Sequence, residues 1–184
     1  MISEILATTD GHPADRLDPP GDPQTIARTI CLQALTQRAR TRAELSALLA
    51  RRGVPNDAAT AVLDRFSEVG LIDDLALAET FAAAAHHERG LSRRAVAAKL
   101  RLRGVDESSV QAAIDQIDSD SELAAASDLA VRRLRSLREL DPTVQARRIV
   151  GLLARRGYSP GLAYRVARDV ISDPELLSGA GDTT

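Results

Sequence analysis

Basic residues are the most prominent groups in this sequence that could bind a charged partner. Residues 93–103 read RRAVAAKLRLR and contain five cations but no acid. If this segment is helical, Arg94 and Arg101 share one face because they are seven residues apart. Guanidinium groups placed in this way bind carboxylates or phosphates. We predict a docking surface here, although a solvated helix face explains any one of these cations equally well. The candidate residues are Arg93, Arg94, Lys99 and Arg101.

A second basic region follows between residues 132 and 148. Its candidate partner-binding residues are Arg132, Arg133, Arg135, Arg147 and Arg148, and Arg138 lies among them. This density predicts contact with an acidic groove or with nucleic acid. The formal net charge of the whole chain is −2, so local fields rather than total charge would steer such a partner.

Nucleotide or metal chemistry has few residues to support it. Lys99 is the single lysine, and the sequence has no GxxxxGK phosphate-binding loop. His86 and His87 are adjacent, so their side chains diverge by about 100° on a helix. We predict that both are solvated helix residues, and we expect no metal site and no cofactor.

The adjacent carboxylates Asp73 and Asp74 are the pair that most resembles a general acid and base. However, Asp73 stands where a helix should begin, and an aspartate there accepts hydrogen bonds from first-turn amides. We interpret the pair as a helix cap. The sequence therefore predicts that the protein is not an enzyme.

The composition favours helices that pack through aliphatic side chains. The chain of 184 residues is 44% hydrophobic but only 2% aromatic, whereas strands prefer aromatic and β-branched residues. No apolar run approaches the roughly 20 residues that span a bilayer, and the first residues lack the pattern of a signal peptide. We expect a cytoplasmic protein that does not enter a membrane.

One short motif occurs three times, as LARRGV, LRLRGV and LARRGY, which end at residues 54, 105 and 158. Its glycines are Gly53, Gly104 and Gly157, and a period of roughly 50 residues indicates a repeat array. The arginine before each glycine lies in a last helical turn, where a cation complements the helix dipole. We interpret Arg52, Arg103 and Arg156 as structural residues for this reason.

Each repeat can be divided into three helices from its capping residues. Thr41 with Glu44 forms a capping box, and a glycine ends each middle helix. Other predicted caps are Asn56, Asp73, Ser92, Asp106, Asp141 and Ser159. No strand pattern is present, so we predict an all-α fold of three tandem three-helix repeats. The expected segments are a disordered arm (1–23), three repeats (24–72, 73–118 and 119–173) and a flexible tail (174–184).

Three segments resemble the RecX family of recombination regulators. They are GLIDDLALAETF (70–81), RGLSRRAVAAKLRLRGVDESSVQAAI (89–114) and RRIVGLLARRGYSPGLAYRVARDVI (147–171). Residues 35–74 also resemble the first unit of that family, and the likeness covers roughly residues 25–172. Two features differ from similar sequences, which tend to have an acid at the position of Lys99 and more aromatic residues near Phe81.

The resemblance implies a fold, a partner and an activity. The fold would be an elongated, curved row of three-helix units. The protein would be a monomer that binds the RecA recombinase filament, with single-stranded DNA as a further contact inside that filament. It would restrain ATP hydrolysis, strand exchange and co-protease activity, and thereby modulate recombination, DNA repair and the SOS response.

Two other functions fit the same residues. Paired helices joined by a glycine turn also occur in helix-turn-helix modules, so direct DNA binding is one alternative. A helical-repeat scaffold for another protein is the second alternative.

Overall fold

The computed structural model describes residues 21–173, and these residues form nine α-helices and no strands. The helices are α1 (Pro23–Gln37), α2 (Arg42–Arg51), α3 (Asn56–Glu68), α4 (Asp74–His87), α5 (Arg93–Leu102), α6 (Glu107–Asp115), α7 (Ser119–Arg135), α8 (Pro142–Arg155) and α9 (Pro160–Ser172). Successive groups of three make the three repeats, which confirms the predicted fold class. The predicted tail and all but residues 21–23 of the predicted arm lie outside the described residues.

Side-chain caps begin most of these helices, as the sequence predicts. Thr41 and Glu44 form both halves of a capping box at α2. The predicted caps Asp73, Ser92, Asp106, Asp141 and Ser159 each accept a hydrogen bond from a first-turn amide. The prediction for Asn56 is wrong, because Asn56 is the first residue of α3 and the cap position belongs to Pro55, which has no side-chain acceptor.

Each repeat has its own apolar core, and the same helical positions build all three. The most deeply buried residues of the middle helices are Leu45 and Leu49 in α2, Val96 and Leu100 in α5, and Ile149 and Leu153 in α8. Alanines of the first helix pack against them in all three repeats, including Ala27, Ala78 and Ala126. Because these cores are separate, the relative positions of the repeats depend on contacts made elsewhere.

The first joint connects the start of α2 with the end of α5. The hydroxyl of Thr41 donates to the carbonyl of Arg103 over 2.7 Å, and Arg103 Nε donates to Glu44 Oε1 over 2.9 Å. The amide of Arg42 donates to Asp74 Oδ1 over 2.9 Å. These bonds satisfy backbone groups that helix ends leave without a partner.

The second joint connects the start of α5 with the end of α8 in the same way. The amide of Ser92 donates to the carbonyl of Arg156 over 3.0 Å. The amide of Arg93 donates to Glu122 Oε1 over 2.9 Å, just as Arg42 donates to Asp74 in the first joint. The middle helices α2 and α5 therefore each begin against the end of the next middle helix.

The glycine of the repeated motif permits this close approach. All three glycines have positive φ, as the sequence predicts. A Cβ atom on Gly104 would lie 2.4 Å from Ala43 Cβ, and one on Gly157 would lie 2.6 Å from Ala95 Cβ. A Cβ atom on Gly53 would meet nothing within 4 Å, because no repeat precedes it among the described residues.

His86 also links two repeats, and the prediction that it is solvated is wrong. Its side chain is 1% exposed; Nδ1 donates to the carbonyl of Leu91 over 2.9 Å, and Nε2 lies 3.0 Å from the hydroxyl of Ser121 at the start of α7. His87 is exposed, as predicted. The two rings differ because α4 meets α7 on one side only, and adjacent helical residues face different sides.

We predict that Gly104→Ala destabilises the protein more than Gly53→Ala. Both substitutions place alanine at positive φ, at a cost of about 1 kcal/mol. Only alanine at position 104 also collides with Ala43, which adds roughly 1–3 kcal/mol. Thermal or denaturant unfolding measures the difference, and equal losses for the two variants would contradict this account of the joint.

We also predict that Glu44→Gln lowers stability in a pH-dependent way. Burial opposes ionisation of Glu44, but the hydrogen bond and charge of Arg103 outweigh it and lower the Glu44 pKa below its ordinary value of 4.5. The stabilisation by ionised Glu44 is therefore present above pH 4.5 and disappears as the pH falls through the folded-state pKa. Glutamine has a single acceptor oxygen, so it can keep the capping-box bond from the Thr41 amide but loses the charge and an acceptor for Arg103.

The expected loss at neutral pH is about 1 kcal/mol, measured by denaturant unfolding. Glu68→Gln is the matched control, because Glu68 pairs with Arg65 on the surface and both side chains are more than 60% exposed. That variant should change stability little at any pH. A Glu44→Gln loss that stays constant below pH 4.5 would show that the charge is not responsible.

Candidate functional site

Helix α5 presents its cations as the sequence predicts. Val96 and Leu100 are buried, whereas Arg94, Lys99 and Arg101 are exposed on the other sides of the helix. Ser92 begins the helix by accepting a hydrogen bond from the amide at its third residue. The helix cap and the apolar seam thus set which cations face outward.

Arg101 is held by an acid of its own repeat. Its Nε donates to Glu107 Oε2 over 2.8 Å. This hydrogen bond raises the pKa of the Arg101 guanidinium and lowers the pKa of Glu107. Both side chains are about half exposed or more, so water screens the pair and it opens at little cost. A carboxylate or phosphate of a partner can therefore compete with Glu107 for Arg101.

Arg93 and Arg94 take part in the structure of the array. The Arg93 guanidinium lies 3.1 Å from Asp115 at the end of α6, and its amide belongs to the second joint. Arg94 Nε donates to the carbonyl of Gly157 over 3.2 Å, also across the second joint. Sequence analysis did not identify these contacts, and they use part of the basic surface to hold the third repeat.

Lys99 differs from its neighbours on α5. It is exposed, and its side chain makes no hydrogen bond or ion pair with any residue between 21 and 173. Its ammonium group is therefore available to a partner without the loss of an internal contact.

The third repeat carries the predicted arginines without neutralising acids. Arg132, Arg133, Arg135, Arg147 and Arg148 are all exposed. Within the described residues none of the five pairs with a carboxylate, and the one hydrogen bond by their side chains runs from Arg133 to the hydroxyl of Ser136 over 3.3 Å. Residues 131–156 contain eight arginines but only two acids, so this stretch has a net positive charge.

Gln145 fixes the segment between the two groups of arginines. Its side chain is buried at 8% exposure, and its amide nitrogen donates to the carbonyls of Leu137 and Leu140 over 3.1 and 2.8 Å. These bonds hold the turn between α7 and α8. The arginines at the end of α7 and on α8 are therefore presented from an ordered scaffold.

The structure also shows a groove at the first joint that sequence analysis missed. It has a volume of about 340 Å³, and Arg38, Arg51 and Arg103 are among its lining residues. Leu102 lies on its rim and is 88% exposed, the highest value among the large hydrophobic residues described. The sequence contains a signal for the exposed Leu102, because the equivalent positions of the other repeats are Arg51 and Arg155.

The described residues match neither the ligand set of a metal ion nor the length of a membrane-spanning helix. Residues 21–173 contain no group of three metal-ligating side chains. No helix within them is long and apolar enough to cross a membrane. Asp73 caps α4 as predicted, and Asp74 accepts the Arg42 amide, so both carboxylates have structural partners.

Three family models match this chain in the order of its repeats. Residues 27–66 match the first three-helix domain of RecX, residues 73–114 the second and residues 120–167 the third. The matches follow the repeats described above.

Curated relatives are similar over most of their length. The regulatory protein RecX of Streptomyces coelicolor is 45% identical over 171 residues, which cover 93% of this chain and 91% of the relative. The Thermobifida fusca protein of the same name is 49% identical, with 87% and 86% covered. The Mycolicibacterium smegmatis protein is 44% identical, with 90% and 89% covered.

Solved structures have the same fold. The crystal structure of RecX from Lactobacillus salivarius superposes with a TM-score of 0.73 and 16% identity, over 81% of this chain and 97% of that one. A second crystal structure, of a regulatory protein RecX, superposes with a TM-score of 0.70 and 22% identity, over 80% and 72% of the two chains.

Proposed function

The chain belongs to the RecX family of regulatory proteins, and on this basis we propose that it binds the RecA recombinase filament and inhibits it. The inhibited activities are ATP hydrolysis, strand exchange and co-protease activity. Through them the protein modulates recombination, DNA repair and the SOS response. It acts as a cytoplasmic monomer, without a cofactor and without catalysis of its own.

The observation that carries this proposal is a row of three repeats with exposed cations and fixed joints. Both joints use backbone hydrogen bonds at helix ends, so the second and third repeats hold a set orientation. Helix α7 alone has 17 residues and is about 25 Å long. Such an array can contact more than one subunit of a filament and so resist the rearrangements that turnover requires.

The proposed contacts to the filament are Lys99 and five arginines of the third repeat, Arg132, Arg133, Arg135, Arg147 and Arg148. They are exposed and make no ion pair with a described residue, so a partner carboxylate or phosphate gains them without displacing an internal acid. Arg101 joins them when it exchanges Glu107 for a partner acid. We assign Arg93 and Arg94 a smaller contribution to filament binding, because both already make hydrogen bonds or ion pairs within the array.

We expect the steady-state ATPase of RecA on single-stranded DNA to fall when this protein is added. The physical reason is that an array bridging neighbouring subunits holds them in one arrangement. The control is an unrelated DNA-dependent ATPase, whose rate should not change. An unaltered RecA rate at several-fold excess of the protein would count against the proposed function.

A second candidate contact is nucleic acid, and the third repeat favours it. Its arginines between residues 131 and 156 outnumber acids by eight to two, and each guanidinium can neutralise a phosphate. The low aromatic content makes base stacking a minor contribution. We propose that Arg132, Arg133, Arg135, Arg147 and Arg148 touch the DNA strand inside the filament.

We predict that Arg147→Ala with Arg148→Ala makes binding to RecA filaments less dependent on salt. Loss of two phosphate contacts should reduce the slope of log affinity against log salt by about 1.4. The control is Arg65→Ala with Arg168→Ala, which removes the same charge from two exposed arginines that pair with acids. Equal slopes for both double variants would rule out the proposed phosphate contacts of Arg147 and Arg148.

A further inference from the structure

The first repeat carries a joint surface that no described residue covers. The equivalents of Gly53 in the other repeats, Gly104 and Gly157, are covered by the start of the preceding middle helix. Residues 51–53 are all exposed, and a Cβ atom on Gly53 would meet nothing within 4 Å. We call residues 51–53, at the end of α2, the open end of the array.

The third repeat, in contrast, does not offer a helix start that could form a joint with this open end. When the glycines are aligned, Gln145 occupies the position of the caps Thr41 and Ser92. However, α8 begins earlier, at Pro142, so Gln145 lies inside the helix and is buried. The extra helical turn of α8, residues 142–144, occupies the place where a further repeat would pack. A second copy of this chain therefore cannot continue the array through its third repeat, and the open end needs another kind of partner.

The charges of the open end indicate the chemistry of that partner. Arg51 and Arg52 are exposed and make no ion pair with any residue between 21 and 173. In the first joint the equivalent of Arg52 is Arg103, which binds Glu44 in the first turn of a helix capped by Thr41. The amides and partial positive charge of such a helix start complement the carbonyls at the end of a middle helix.

We propose that the open end docks the start of an α-helix of the RecA protein. The helix start that fits has a serine or threonine cap, a small residue facing Gly53 and a glutamate in its first turn that pairs with Arg52. This is the arrangement by which Thr41, Ala43 and Glu44 receive the second repeat. The inference rests on the proposed function, because it names the same partner.

A small groove beside the open end provides room for one side chain of such a helix. It has a volume of about 140 Å³, and its lining includes Ile30, Gln37, Leu48 and Arg52. Ile30 aligns with Phe81, over whose ring the Arg103 guanidinium lies at 5.7 Å in the first joint. The same part of the first helix therefore borders the arginine in both repeats.

One contact of the internal joints is missing at the open end. Asp74 and Glu122 each accept an amide from the start of the preceding middle helix. Pro23 holds the position aligned with Asp74 and offers no side-chain acceptor, whereas the position aligned with Glu122 lies outside the described residues. The docked helix therefore lacks the bond that Asp74 makes in the first joint.

The test is binding of Arg52→Glu and Gly53→Asn variants to RecA filaments on single-stranded DNA. Reversal of the Arg52 charge should weaken binding roughly tenfold, because it replaces a charge-assisted hydrogen bond by repulsion. Asparagine tolerates positive φ and meets open space in the free protein, so Gly53→Asn should fold but obstruct the docked helix.

The controls are Arg65→Glu and Gly70→Asn. Arg65 is an exposed arginine in the last turn of α3, and Gly70 has φ +71 with nothing within 4 Å of a Cβ atom. Weaker binding by both open-end variants, with both controls unchanged, supports the inference. Equal binding by all four variants and the wild type overturns it and leaves the proposed function intact. Absence of wild-type binding to RecA overturns both.

Discussion

The hydrogen bonds between the end of one middle helix and the start of another are the interaction on which this array depends. Each repeat buries its own small apolar core, and units of about 50 residues are marginal when they stand alone. The joints add the missing connection by pairing carbonyls at a helix end with amides or a hydroxyl at a helix start. Opposite ends of two helix dipoles meet there, which favours the contact further.

This constraint also explains why the motif with Arg and Gly recurs. Gly104 and Gly157 satisfy two demands, a positive φ and an approach that a Cβ atom would block. Arg103 extends across the first joint to Glu44, and Arg94 extends across the second to Gly157. The joints therefore use some of the most conspicuous arginines, whereas Lys99, the five candidate arginines of the third repeat, and Arg51 and Arg52 at the open end are exposed without an ion pair to a described residue.

The candidate surface shows which structural features a helical sequence pattern predicts and which it does not. Period and apolar seam predict that Arg94 and Arg101 face away from Val96 and Leu100, and they do. The same pattern does not identify the partners of these arginines. Asp115 lies 22 residues beyond Arg93, and Gly157 lies 63 residues beyond Arg94. The helical pattern of α4 likewise could not distinguish His86 from His87, because the neighbour that buries His86 is the start of α7.

The sequence by itself determined the number of repeats, the helix type and nearly every helix start. These features depend on local chemistry: a capping side chain within three residues, a glycine at positive φ and an apolar seam of helical period. Only the tertiary structure decided which glycines are enclosed, which arginines are bound internally and which end of the array is open. Those properties arise where segments roughly 30–70 residues apart come into contact, and backbone groups that meet there leave no signature in residue type.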